Sequence, residues 1–147
     1  MKIIVDTNIV FSGILNSSSN IARILIQSKG NFDFYSSSFL RQELRKHYPK
    51  IAKFTHLSHN DIDELETLVT KKIKFIHESL IPKTHFISAE KLVADIDFDD
   101  VPFVALTKHL KGKLWTGDKK LITGLLKRGF TDVATTAQLL KIEKERT

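Results

Sequence analysis

A three-layer α/β/α sandwich around a mainly parallel central sheet is the architecture this sequence predicts, as one domain over residues 1–147. Three observations lead there. Strand-like and helix-like segments alternate along the whole chain, the signature of βαβ units. The first strand-like run, Ile3–Ile4–Val5, is continuously apolar, as a strand covered on both faces must be. A chain of 147 residues, 41 % of them hydrophobic, also has the means to bury roughly 68–70 % of the surface it exposes when unfolded.

The elements follow in order. Residues 2–5 form the first strand and run straight into Asp6. Helical spacing of Ile9, Val10, Ile14 and Leu15, then of Ile21, Ile24 and Leu25, predicts helices over 8–15 and 19–28, with the serines at 17–19 supplying break and cap. FDFYS at 32–36 alternates as a strand does, and Ser37 or Ser38 opens a helix that runs to Pro49. A long amphipathic helix is expected over about 59–78, with Ser58 and Asp61 at capping-box spacing. THFI at 84–87 reads as a strand, and SAEKLVAD starts a short helix. Val101, Val104, Ala105 and Leu106 give a helix to about Leu110, with Pro102 tolerated in its first turn. KLWTGD at 113–118 is a strand ending in a carboxylate, KKLITGLLKRG a helix stopped by Gly129, and 131–135 an edge strand before a C-terminal helix.

Composition narrows the chemistry. The absence of cysteine excludes disulfides, thiolate metal sites and a cysteine nucleophile. No apolar run reaches the ~20 residues of a membrane span, and MKIIVD lacks the apolar core and cleavage site of a secretory signal. A cytoplasmic protein with no membrane association is expected. The net charge is +6, with basic density at Arg41–Lys53, Lys71–Lys74 and Lys108–Lys120, which suits either a solvated surface or a polyanion such as RNA or DNA.

Against that positive balance, DIDFDD at 95–100 packs Asp95, Asp97, Asp99 and Asp100 into six residues. Crowded like charges cost free energy unless a cation, proton or partner offsets them. Asp6 and Asp118 each follow a predicted strand, and so fall at the carboxyl edge of a parallel sheet, where ligands bind. Asp100 sits at a helix start, and Glu43 lies about one turn into the helix after FDFYSSS. Taken singly, each has a plain structural role: Asp6 and Asp118 as helix caps, Glu43 paired with Lys46 or His47, the aspartate run as an exposed turn. Taken together, they put four carboxylates at one edge.

The joint pattern resembles the PIN-domain nucleases. Ile3–Ile4–Val5–Asp6–Thr7–Asn8–Ile9–Val10 is similar to the family's opening, a hydrophobic strand, Asp-Thr-Asn and an apolar helix. Ser38–Phe39–Leu40–Arg41–Gln42–Glu43–Leu44 resembles its Ser…Glu-Leu element, Asp100–Val101–Pro102–Phe103–Val104–Ala105–Leu106 its third-acid helix, and Leu114–Trp115–Thr116–Gly117–Asp118–Lys119–Lys120–Leu121 its closing Thr-x-Asp strand and helix. The resemblance implies that Asp6, Glu43, Asp100 and Asp118 form an acidic pocket for Mg²⁺ or Mn²⁺. Hard cations of this kind take oxygen ligands, which the cysteine-free donor set supplies. Asp100 is taken as the third acid because it precedes Phe103–Val104–Ala105 at the family's spacing; Asp97 is an additional contributor, while Asp95 and Asp99 are expected to be solvated.

Expected roles follow from that resemblance. Asp6, Asp100 and Asp118 are metal ligands, direct or through water, and Glu43 binds a second metal or positions the attacking water. Asn8 and Thr116 orient carboxylates or touch phosphate, and Ser38 caps its helix or contacts substrate; for these three, local capping and turn bonds read equally well. The implied activity is a metal-dependent endoribonuclease on single-stranded RNA, the toxin of a toxin–antitoxin pair, with a separate antitoxin over the groove and a homodimer. Two alternatives stay open. One is an aspartyl-nucleophile phosphatase of the HAD type, although Asp6–Thr7–Asn8–Ile9 lacks that family's second aspartate. The other is a non-catalytic basic module of the same fold that binds RNA or protein.

Overall fold

A computed structural model describes residues 1–146. Its sheet is five-stranded and parallel throughout, in the order β3-β2-β1-β4-β5, from β1 (Lys2–Val5), β2 (Asp33–Ser37), β3 (Ile73–Ile76), β4 (Lys113–Trp115) and β5 (Val133–Ala134). The buried run Ile3–Ile4–Val5 is the centre of this sheet, flanked by β2 and β4, and helices cover both faces, as predicted. The first three strands build outward to one side of β1 and the last two to the other. A chain that reverses direction this way leaves a crevice at the carboxyl ends of its central strands.

Helices α1 (Thr7–Leu15) and α2 (Asn20–Gln27) follow β1 and pack with α5 (His59–Thr70). No single helix among the described residues is long and apolar enough to cross a membrane; α1 and α2 together reach that length only as a pair bent by 106°, and their Ile9, Val10, Ile14, Ile24 and Leu25 are core. On the other side α7 (Val101–Leu110) lies against β1, β2 and β4, with α6 (Lys83–Val93) packed onto it. Phe103 and Trp115 are buried, as the sequence suggested, and the Trp115 indole N–H donates to Thr136 Oγ1 at 3.0 Å. Ser19 and Ser58 cap α2 and α5, accepting from Ala22 N and Asp61 N. Gly129, at φ +81°, ends α8 (Lys119–Lys127) in a backbone region that suits glycine, and α9 (Thr136–Glu145) closes the chain.

Three element predictions are corrected. The long helix expected over 59–78 stops at Thr70, and Ile73–Ile76 leaves it to become β3, paired with Phe34–Ser37 of β2. Ile-Lys-Phe-Ile suits both periods, and the open edge of β2 decided between them. THFI at 84–87 is helix, not strand: it is continuous with SAEKLV in α6, whose Ala89 and Val93 sit one turn apart under full burial. Finally, the helix expected to reach Pro49 is two helices, α3 (Phe39–Lys46) and α4 (Tyr48–Thr55), with Pro49 in the first turn of the second, where no backbone N–H is needed. Arg41 of α3 reaches the buried Glu66 of α5 at 3.5 Å and stacks 4.4 Å over Phe75, which ties α3 to the rest of the layer.

Candidate active site

Asp6 is the first residue beyond β1 and is 3 % exposed. Its Oδ1 accepts from Ile9 N at 2.9 Å, capping α1, and its carboxylate is also hydrogen-bonded to the buried Thr116 beyond β4. Asp118 caps α8, accepting from Lys120 N and Leu121 N at 3.0 and 3.2 Å, while its own N–H donates to Thr116 Oγ1 at 3.1 Å. The plain capping roles are therefore made, yet in the same geometry Asp6 and Asp118 face each other closely enough for their charges to couple. Parallel pairing of Val5 with Trp115 is what sets this, since it brings the ends of β1 and β4 level.

Glu43 comes from α3, the helix that follows β2, and is half-buried. Thr7 Oγ1 donates to its Oε2 at 2.8 Å, so the expected pairing with Lys46 or His47 gives way to a bond between α1 and α3. Asp100 stands at the N-terminal cap position of α7 but makes no cap bond; its Oδ2 is a buried side-chain oxygen without a hydrogen-bond partner. Asp97 caps the 3₁₀ turn Phe98–Asp100, accepting from Asp99 N at 3.0 Å.

Burial and neighbouring charge raise the proton affinity of Asp6, Glu43 and Asp100. Burial pushes Asp6 from 3.8 up to about 6, against the lowering effect of the Thr116 and Ile9 hydrogen bonds, and Asp118 and Glu43 add repulsion. Burial also pushes Asp100 from 3.8 up to about 7, reinforced by the charges of Asp97, Asp6, Asp118 and Glu43. Glu43 is raised by burial too, with Asp99 and Asp97 adding to it and Thr7 and Lys46 opposing.

A recess of about 140 Å³ collects Asp6, Asn8, Glu43, Asp97 and Asp100 together with Thr7, His47, Asp99 and Phe103. Asp118 lies beside this recess and acts on it by charge, and Thr116 acts from beneath by its bond to Asp6. Ser38 does not line it. Ser38 makes no side-chain cap bond either; its neighbour Ser37 takes that part, accepting from Phe39 N at 3.2 Å. A larger, mostly apolar groove of about 520 Å³ between α8, β5 and α9 has none of these acids in its lining.

Two expectations for the aspartate run are corrected. Asp99 is exposed, yet it borders the recess and raises Glu43, because the 3₁₀ turn folds it back beside Asp97. Asp95 is exposed but not simply solvated: both its oxygens are held by Arg128 at 2.7 Å. His47 and Thr7 were also missed. Both were within reach of the sequence, since His47 is one helical turn from Glu43 and Thr7 directly follows Asp6.

Among the described residues, no three of the histidine, aspartate and glutamate side chains converge tightly enough to chelate one ion as they stand. The donor set nevertheless fits a hard divalent cation. It is all oxygen, its charges repel one another, and Asp100 Oδ2 is buried with nothing to accept from. A loosely spaced acidic set matches Mg²⁺, which keeps several waters and uses one or two carboxylates.

The chain was then compared with known proteins. No curated protein sequence matches it. Among solved structures, PAE2754 from Pyrobaculum aerophilum is similar in fold, with a TM-score of 0.70, 11 % identity, and coverage of 99 % of this chain and 90 % of that one. VapBC-1 from nontypeable Haemophilus influenzae gives a TM-score of 0.66 at 18 % identity, over 93 % of this chain and 99 % of that one. A sequence model of the PIN domain matches residues 4–143, and the HAD-type alternative falls with that match. Spanning nearly every element from β1 to α9, it establishes that this chain belongs to the PIN-domain family.

Proposed function

We propose that this protein is a metal-dependent endoribonuclease that hydrolyses phosphodiester bonds of single-stranded RNA. The observation that carries the reading is the buried, unpartnered Oδ2 of Asp100 among carboxylates whose charges raise its proton affinity. PIN domains are generally nucleases that use divalent metals, which supports it. Asp6, Asp100 and Asp118 would hold Mg²⁺ or Mn²⁺, with Asp97 as a further ligand. When bound, the ion neutralises the recess, acidifies a water and offsets the charge that builds on the phosphate.

The chain's own residues then have defined tasks. Thr7 fixes one oxygen of Glu43 and leaves the other to orient the attacking water and take its proton, a duty that the raised proton affinity of Glu43 favours. Asn8, exposed at the rim, is placed to meet a phosphate oxygen. Lys46, close enough to act on Glu43, and Lys50, stacked 5.7 Å over Phe11, offer cations to the RNA backbone.

Phe98 is 62 % exposed between two acids of the recess, where a flat apolar ring can stack on an unpaired base. Phe98→Ala is expected to raise KM for single-stranded RNA about tenfold with kcat nearly unchanged, and Phe98→Trp to keep KM low. Steady-state kinetics on a labelled oligonucleotide check this.

The toxin role, a separate antitoxin over the acidic groove, a homodimer and a cytoplasmic setting remain part of the proposal and rest on the family. Cleavage of end-labelled RNA and of the matching DNA, with Mg²⁺, Mn²⁺ or EDTA, tests the core of it. Metal-dependent cutting of RNA in preference to DNA is the expected result. A second reading, a non-catalytic binder, is favoured by the lack, among the described residues, of three acids arranged to chelate one ion. Salt-sensitive RNA retention with no cutting in any metal would select it.

A further inference from the structure

We infer that α8 is a strut which sets the position of the acidic segment 97–100 relative to Asp118, and that Gly124, Ile96 and Arg128 are its positioning residues. The inference rests on the metal-site reading above and adds residues to it that touch neither the recess nor its acids.

At one end of α8, Asp118 caps the helix with two backbone bonds. Farther along, Gly124 and Arg128 are four apart and share a face. Both hold the segment that leaves α6. Arg128 grips Asp95 with a two-pronged bond, Nη1 to Oδ1 and Nη2 to Oδ2, each 2.7 Å, and Nη1 also donates to Leu92 O. One turn back, Ile96 fills the notch that Gly124 leaves: a β-carbon at 124 would fall inside the van der Waals envelope of Ile96 Cδ1 and 3.5 Å from Cγ1. Glycine weakens a helix interior, so α8 keeps it at a cost that this contact explains.

From that anchor, the path to the recess is internally bonded. Ile96 N and Asp97 N both donate to Val93 O, at 2.9 and 2.8 Å. Asp97 then accepts from Asp99 N through its side chain and from Asp100 N through its carbonyl, at 3.0 and 3.1 Å. Asp95 and Ile96 are thus tied, through a run of short-range bonds, to the acids that follow. A substitution that shifts the Ile96 backbone, rather than turning its terminal methyl, would carry Asp97 and Asp100 with it while Asp118 stays with the helix. The Asp95–Arg128 pair is exposed and adds little to folding stability, so its contribution is geometric.

The test measures Mn²⁺ affinity by the EPR signal of the free ion, and thermal stability in EDTA, for the full chain and its variants. Gly124→Leu, whose bulk a turn of the Ile96 methyl does not relieve, and Arg128→Ala are each expected to raise the Mn²⁺ dissociation constant about 3–30-fold, with stability in EDTA nearly unchanged. Adding Ile96→Ala to Gly124→Leu reopens the notch and should bring affinity back to within about threefold of the parent. Wild-type affinity in both single variants, or no recovery in the double variant, overturns the strut. If the parent chain itself binds no Mn²⁺, the metal reading fails instead, and hydrogen exchange of residues 96–100 then decides. Faster exchange in Gly124→Leu and Arg128→Ala upholds the strut, and unchanged exchange overturns it.

Discussion

Asp6→Asn should lower metal-dependent cleavage by about 10³-fold or more while making the metal-free protein harder to unfold. Both effects have one source. Asp6 is 3 % exposed and surrounded by other carboxylates, so its ionised form is costly in the folded state and its pKa climbs from 3.8 to about 6. At pH 7.5 that displacement corresponds to about 3 kcal/mol of folding free energy given up by a charged Asp6. Asparagine removes the charge and keeps an oxygen to accept from Ile9 N, and it caps helices about as well as aspartate. The variant's melting temperature in EDTA is therefore expected to rise by about 5–10 °C. Calorimetry and a cleavage assay on one preparation check both halves. A variant that loses activity and also melts lower would mean that Asp6 acts as a structural cap.

A stability gain with loss of function would mark a site built for charge, and the sequence carried much of the acidic recess that the structure assembles. Asp6 and Asp118 were legible because each lies just beyond a strand of a parallel sheet, and the carboxyl ends of such strands are where ligands bind. Glu43 was legible from its place in a helix after a strand, but its partner was not. The choice of Thr7 over Lys46 or His47 depends on how α1 meets α3, which no local spacing encodes. The same holds for β3. IKFI fits a helix face and a strand alike, and only the unpaired edge of β2 selects the strand. THFI failed in the opposite direction, since its β-prone residues were absorbed by a helix whose burial is set at Ala89 and Val93. Within the aspartate run four similar residues stand close together, and contacts made elsewhere divide them. Arg128 claims Asp95, a backbone N–H claims Asp97, and Asp100 is left without a partner.

The metal-free protein is expected to lose stability as pH rises from about 4 to about 7, the reverse of the usual carboxylate trend. The sign follows from the direction of the shifts. Asp6 and Asp100 hold protons more tightly when folded, up to about 6 and about 7, than when unfolded, at 3.8. Between those values the folded chain carries more bound protons than the unfolded one, so each step up in pH favours unfolding. The stabilisation they provide is complete below the unfolded value and gone above the folded ones. Asp6 alone accounts for about 3 kcal/mol. Asp100 adds in the same direction, and Asp95, lowered by its bonds to Arg128, opposes only weakly because it is exposed. Urea midpoints in EDTA at pH 4.5, 6 and 7.5 measure the slope, and Asp6→Asn should flatten it. A bound divalent ion takes over the neutralising role of those protons, so Mn²⁺ at about 100 times its dissociation constant should restore about 2.7 kcal/mol at pH 7.5. It should do little at pH 4.5, where protons already occupy the acids. That crossing of proton and metal dependence is what competition for the same carboxylates requires. A flat profile in EDTA, unmoved by Mn²⁺, would instead leave the acids as caps and turn residues of a binding module.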